Sequence, residues 1–209
     1  MNNFGIILGE PNSINSEILG KSIASKKKAI IIGSYDLLKS QFKILKIKKK
    51  IRKIKNLSEI EKFDGSLNIF DIPLKFKKAF SVDPSKSSAY VKKCLLFGHN
   101  LCIKKKIKGI INCSINKKNL FKNKNIGVTE FLANKNKVLN SEIMVIYNKD
   151  LSVAPLTTHI KLKEVSKSIN KNLIMRKIQT LHFNYRKYFK KSPKIAVLGL
   201  NPHNFEFKK

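Results

Sequence analysis

Phe4-Gly5-Ile6-Ile7-Leu8-Gly9-Glu10-Pro11 opens the chain with an apolar run that stops at a glycine and turns. A buried strand followed by a tight connection is the simplest reading. A helix is expected from Ser13 or Ser16, carrying Ile18, Leu19 and Ile23. Ala29 to Ile32 then reads as a second buried strand, closed by Gly33, and a short helix follows through Leu37 and Leu38. Strand, helix, strand, helix implies an α/β fold, with a largely parallel sheet and helices on both faces.

The same alternation continues. Ile44 to Ile54 mixes apolar residues with Lys, as an exposed strand or strand pair would, and Ser66 to Ile72 is a strand candidate closed by Pro73. Asp83-Pro84 predicts an N-cap with proline in the first turn of a helix reaching about Leu101 and burying Ala89, Cys94, Leu95 and Leu101. Gly109 to Cys113 reads as a strand. Ile143 to Tyr147 and Ser152 to Leu156 form a candidate strand pair around Asn148-Lys149-Asp150. A helical stretch covers Leu162 to Phe189 with a break near Asn170, and Lys194 to Leu200 is expected to be the last strand. Residues 1–209 are read without an internal boundary.

Composition bounds the function. A hydrophobic share of 42% is too high for a disordered chain. The net charge of +31 invites a polyanion partner, yet only Arg52, Arg176 and Arg186 among the 44 basic residues are arginine, leaving 41 lysines. Readers of nucleic acid favour the planar guanidinium fork. Lys, Asn and Ile share A/T-rich codons, so a biased genome accounts for the charge, and a nucleic-acid partner is not expected. Cys94, Cys102 and Cys113 are odd in number and form no C-x-x-C pair, which fits a reducing cytoplasm. No signal peptide and no apolar run of membrane-spanning length is read.

Two islands carry the chemistry. Thr157-Thr158-His159 follows Val153-Ala154-Pro155-Leu156, and Gly199-Leu200-Asn201-Pro202-His203 follows the last strand candidate. Each histidine stands where an apolar run gives way to a loop, so His159 and His203 are candidate ligands of one divalent metal. Gly127-Val128-Thr129-Glu130 is expected to open a helix, whose free N–H groups favour anions, with Thr129 adding a hydroxyl. Lys117, at the end of Asn112 to Lys117, is a possible phosphate contact. His99 and His182 are read as structural or surface residues. No G-x-G-x-x-G or Walker A motif occurs.

In this order the islands resemble the 4-hydroxythreonine-4-phosphate dehydrogenase family of vitamin B6 biosynthesis. Gly9-Glu10-Pro11 looks like its G-[DE]-P, Ile115-Asn116-Lys117 its I-N-K, and Gly127 through Ala133 its G-H-T-E-F-L-A. Ala154 through His159 resembles A-x-x-T-T-H, and Gly199 through His203 resembles G-L-N-P-H. The resemblance implies an isocitrate/isopropylmalate dehydrogenase-like fold of two α/β/α lobes, the second lobe incomplete here. It implies NAD or NADP, a divalent metal such as Zn, Mg or Co, and a phosphorylated amino acid substrate at a homodimer interface. The implied reaction is oxidation of 4-phosphooxy-threonine followed by loss of CO₂, in pyridoxal phosphate biosynthesis. His159 and His203 match two of three metal histidines, Thr129 a substrate contact, and Val128 the position of the family's substrate-binding histidine. Asn12, Ser13 and Asn15 stand where the family has glycines after G-[DE]-P, and Asn112 and Ser114 replace its Thr and Pro. The third metal histidine belongs to the family's C-terminal third. A C-terminally truncated enzyme is therefore expected, active with a second polypeptide that supplies the rest. The alternative is a catalytically inactive remnant.

Overall fold

A computed structural model describes residues 3–22, 29–60, 65–122, 127–138 and 141–201. These divide into two compact units, 1–124 and 125–209.

In the first unit, β1 (Phe4–Ile7), β2 (Ala29–Gly33), β3 (Ile51–Ile54), β4 (Leu67–Asp71) and β5 (Gly109–Asn112) form one sheet in the order β3-β4-β2-β1-β5. Every pairing is parallel, with Ile7 level with Ile32 on one side and Asn112 on the other. The connections are α1 (Asn15–Ser22), α2 (Tyr35–Ile44), a 3₁₀ turn at Leu57–Ile60 and α3 (Pro84–Ile103); α4 (Lys117–Phe121) follows β5.

Parallel strands covered on both faces need apolar residues at successive positions. Ile30, Ile31 and Ile32 are accordingly fully buried. Ile6, Ile31 and Ile69 pack with Leu19 of α1 and with Leu38 and Phe42 of α2. On the opposite face, α3 approaches so closely that a β-carbon on Gly98 would stand 2.7 Å from Ile7 Cδ1. Helices therefore cover both faces, as the alternation predicts.

Several boundaries differ from the sequence reading. Ile44 ends α2 rather than starting a strand, and the chain turns at Lys46 with φ 55° before β3 forms a short edge strand. Ile18 is half exposed while Leu19 is buried, and Ile23 lies outside the described residues. Asp83 caps α3 as expected, accepting the N–H groups of Ser85 at 2.9 Å and Lys86 at 3.1 Å. Ala89, however, is exposed, and Leu101 is only half-buried. The face against the sheet runs instead through Ser87, Tyr90, Val91, Cys94, Leu95 and Gly98. Burial pushes the Cys94 thiol up to about 12, which marks it as a core residue rather than a nucleophile. All three cysteines are free.

The second unit contains α5 (Val128–Lys135), α6 (Leu162–Ser168) and α7 (Lys171–Phe189). The helical break falls at Asn170, whose side chain accepts the Leu173 N–H at 2.9 Å and so starts α7. The expected strand pair is reduced to one antiparallel bridge, Ile146 with Val153, bonded N–H to C=O at 2.8 and 3.0 Å. Lys194 to Leu200 is not a strand. A strand exists only by pairing, and no described strand in this unit runs beside it. Tyr147 stacks on Phe189 at 4.9 Å, and Lys177 pairs with Glu142 at 3.8 Å. No described helix in either unit is long and apolar enough to cross a membrane.

Candidate functional site

The start of α5 supplies the best-built polar cluster among the candidate residues. Gly127 is the N-cap, so Val128, Thr129 and Glu130 occupy the first three helical positions. The Glu130 carboxylate turns back and accepts the Gly127 N–H through Oε2 at 2.9 Å. This is half of a capping box; glycine has no side chain to return the bond. A β-carbon at 127 would stand 2.5 Å from Glu130 Oε2, so a larger residue there would push the carboxylate from this position. Thr129 is exposed at this helix start, and Val128 is half-buried.

The Thr157-Thr158-His159 loop comes to the same place. Thr158 donates its hydroxyl to Glu130 Oε1 at 2.9 Å. His159 Nε2 lies 3.5 Å from the point a Gly127 β-carbon would occupy. His159 itself has φ 59°, a left-handed conformation that a residue with a β-carbon adopts at a cost of about 1–3 kcal/mol. Burial pushes the Glu130 carboxyl up. Its own backbone N–H, the Thr158 hydroxyl, the Gly127 N–H and the neighbouring His159 outweigh that, so it titrates below the ordinary glutamate value.

Two sequence islands, Gly127–Glu130 and Thr157–His159, therefore meet. Glu130, which the sequence reading gave no role, is what joins them. The available signal was a glutamate three residues past a candidate N-cap. His203 lies outside the described residues. Among the described residues, no group of three His, Cys, Asp or Glu side chains could hold a metal ion. One imidazole beside a carboxylate that already accepts two hydrogen bonds does not fit a closed divalent site.

Lys117 belongs to the first unit. It begins α4, which Asn116 caps by accepting the Asn119 N–H at 3.1 Å. The preceding residues sit where strand order reverses around β1, between the ends of β1 and β5, the usual place for a ligand crevice in a wound sheet. Here side chains bridge the strand ends. Asn15, only 4% exposed, donates to the carbonyls of Leu8 at 2.9 Å and Ser114 at 2.8 Å and accepts the Ser114 N–H at 3.2 Å. Glu10 N–H also bonds Ser114 O at 2.9 Å. Asn12 is bonded both ways to the Val82 backbone at 2.8 Å. Asn12 and Asn15, which stand in place of glycines of the resembled motif, are thus structural fasteners.

Comparisons agree with the motif reading. Residues 25–207 match the model of the family described as pyridoxal phosphate biosynthetic protein PdxA. The chain is 32% identical to the 4-hydroxythreonine-4-phosphate dehydrogenase of Sulfurihydrogenibium sp. (strain YO3AOP1), over 95% of this chain and 62% of that protein. It is 34% identical to the Aquifex aeolicus enzyme of the same name, with the same two coverages. A crystal structure of 4-hydroxythreonine-4-phosphate dehydrogenase from Klebsiella pneumoniae superposes with a TM-score of 0.84 at 25% identity, covering 99% of this chain and 66% of that one. The chain thus spans slightly under two thirds of the length of the relatives it matches.

Proposed function

The chain belongs to the PdxA family of pyridoxal phosphate biosynthetic proteins, and from that premise we propose that it acts in oxidising 4-phosphooxy-threonine with NAD or NADP. In this reading a bound nicotinamide would supply the hydride acceptor, the substrate hydroxyl would be oxidised to a ketone with its proton released to solvent, and the resulting β-keto acid would lose CO₂. The single observation that carries the reading is that Glu130 accepts from both Gly127 N–H and the Thr158 hydroxyl, which brings the segments bearing Thr129 and His159 together. It supports a substrate end at the start of α5, where the exposed Thr129 hydroxyl is free to meet a polar substrate group. Val128, in the position of the family's histidine, offers no hydrogen bond there. Lys117, of the first unit, is proposed separately as a phosphate contact through its point charge.

The divalent ion of the family is given no step, because the described donors do not complete a site for it. His159 and His203 are offered as two imidazoles for such an ion, which needs further donors. A homodimer in the cytoplasm is the expected working form.

A second reading, that the chain works only beneath another polypeptide, is favoured by the apolar surface of the second unit. Neither α6 nor α7 contains a buried residue, and Leu162 and Leu198 are each 88% exposed.

The test is calorimetric binding of 4-phosphooxy-threonine to the purified chain, followed by nicotinamide reduction with each cofactor. Binding that weakens in Thr129→Val and in Lys117→Ala supports the assignment. No binding by the chain, alone or with an added partner polypeptide, overturns it.

A further inference from the structure

Glu130 sits at the junction of the two islands, and both of its oxygens accept: Oε2 from Gly127 N–H and Oε1 from the Thr158 hydroxyl, each at 2.9 Å. A carboxylate so engaged is better suited to fixing a geometry than to moving a proton. One residue beyond Thr158, the chain holds His159 in the left-handed region, which persists only where its surroundings over-determine it. Among the described contacts, the Thr158–Glu130 bond is the nearest such restraint. His159 and Thr129 are both exposed, so nothing in their own burial locks either one.

We propose that Glu130 is a positioning residue: its carboxylate ties the Thr158–His159 loop to the start of α5, so that His159 and Thr129 are held at a fixed separation for one phosphorylated hydroxy-acid ligand. The proposal deepens the oxidoreductase reading and rests on it. Glu130 touches no substrate; it acts through Thr158 on one side and through the Gly127 cap on the other.

Thr158→Val removes the hydroxyl with little change of shape, and Glu130→Ala removes both bonds. Each is expected to weaken calorimetric binding of 4-phosphooxy-threonine by roughly tenfold, since the ligand must then order the loop itself. The double variant is expected to be no weaker than Glu130→Ala. Glu130→Gln keeps an oxygen for Gly127 and an N–H for the Thr158 oxygen, and should stay within about twofold of the wild type. Wild-type affinity in Thr158→Val, or losses that simply add in the double variant, overturns the proposal. If the unmodified chain binds no substrate, alone or with an added partner polypeptide, the oxidoreductase reading falls, and amide hydrogen exchange decides the positioning claim. Thr158→Val must then speed exchange at residues 158–160 while Gly127 stays protected, and Glu130→Ala must expose both. Unchanged exchange in Thr158→Val overturns it.

Discussion

Asn15 shows how much one side chain can do at a strand end. Its amide satisfies the buried Leu8 carbonyl just past β1 and the part-buried Ser114 carbonyl and N–H in the loop after β5. Asn15→Ala leaves the Leu8 carbonyl and the Ser114 N–H without these partners, a loss of about 1–3 kcal/mol. Urea unfolding should show it as a lowered midpoint at unchanged slope; a midpoint within error of wild type would remove the fastener role. From sequence, Asn15 was visible only as a departure from a glycine-containing motif. Its partner Ser114 lies 99 residues away, and no local pattern reports a bond over that separation. Glu130 was more legible, because a capping glutamate is a local signal, but its second bond to Thr158 was not. Gly127→Ala probes the same junction. The new β-carbon would displace the carboxylate, and α5 should lose the Glu130–Gly127 cap bond with about 1 kcal/mol of stability, measured by the same unfolding experiment.

Elements were legible where their signals are local. Asp83-Pro84 announced α3 because an acceptor side chain and a proline in the first turn are the chemistry of a helix start. Asn170 did the same for α7. The failures share a cause: Lys194 to Leu200 has the composition of a strand, but strandhood is settled by a neighbour, and composition cannot supply one. In α3 the buried face was misjudged at Ala89 because small residues pack or face solvent with equal ease. The decisive small residue is Gly98, and Gly98→Ala should cost about 1–3 kcal/mol by overpacking against Ile7, Ile32 and Ile110. The Asp83 cap carries a pH signature. The Ser85 hydroxyl and then the Lys86 N–H hold its carboxyl below the usual value, against a smaller upward push from burial. The folded pKa is depressed, so the cap's contribution is complete above the unfolded value and is lost as pH falls below about 4. Thermal melts of Asp83→Asn should therefore lose part of the wild type's acid sensitivity, and identical acid profiles would show that the cap charge is irrelevant.

At the scale of the molecule, charge sets a condition on everything above. A net +31 over 209 residues means that most lysines have no acidic partner available, since Asp and Glu together number 13. Isolated surface pairs such as Lys21 with Glu17 contribute little, roughly 0.2–1 kcal/mol. Repulsion among like charges acts over the Debye length, about 30 Å at 0.01 M salt and about 8 Å at 0.15 M. In dilute buffer each lysine therefore feels much of the molecule, and near physiological salt only its neighbours. Folding brings these charges closer than the unfolded chain does, so screening should favour the folded state. The melting temperature is expected to rise with sodium chloride over that range, by roughly 2–4 °C for each 1 kcal/mol of repulsion relieved. A protein held together by its ion pairs would show the opposite slope. A melting temperature that stays level would mean that the lysines are spaced widely enough to be inert, and the stability of Thr129, Lys117 and Glu130 variants could then be compared at any ionic strength. A rise requires them to be made at matched salt, because a lost lysine would otherwise weaken the anionic ligand and strengthen the fold in the same experiment.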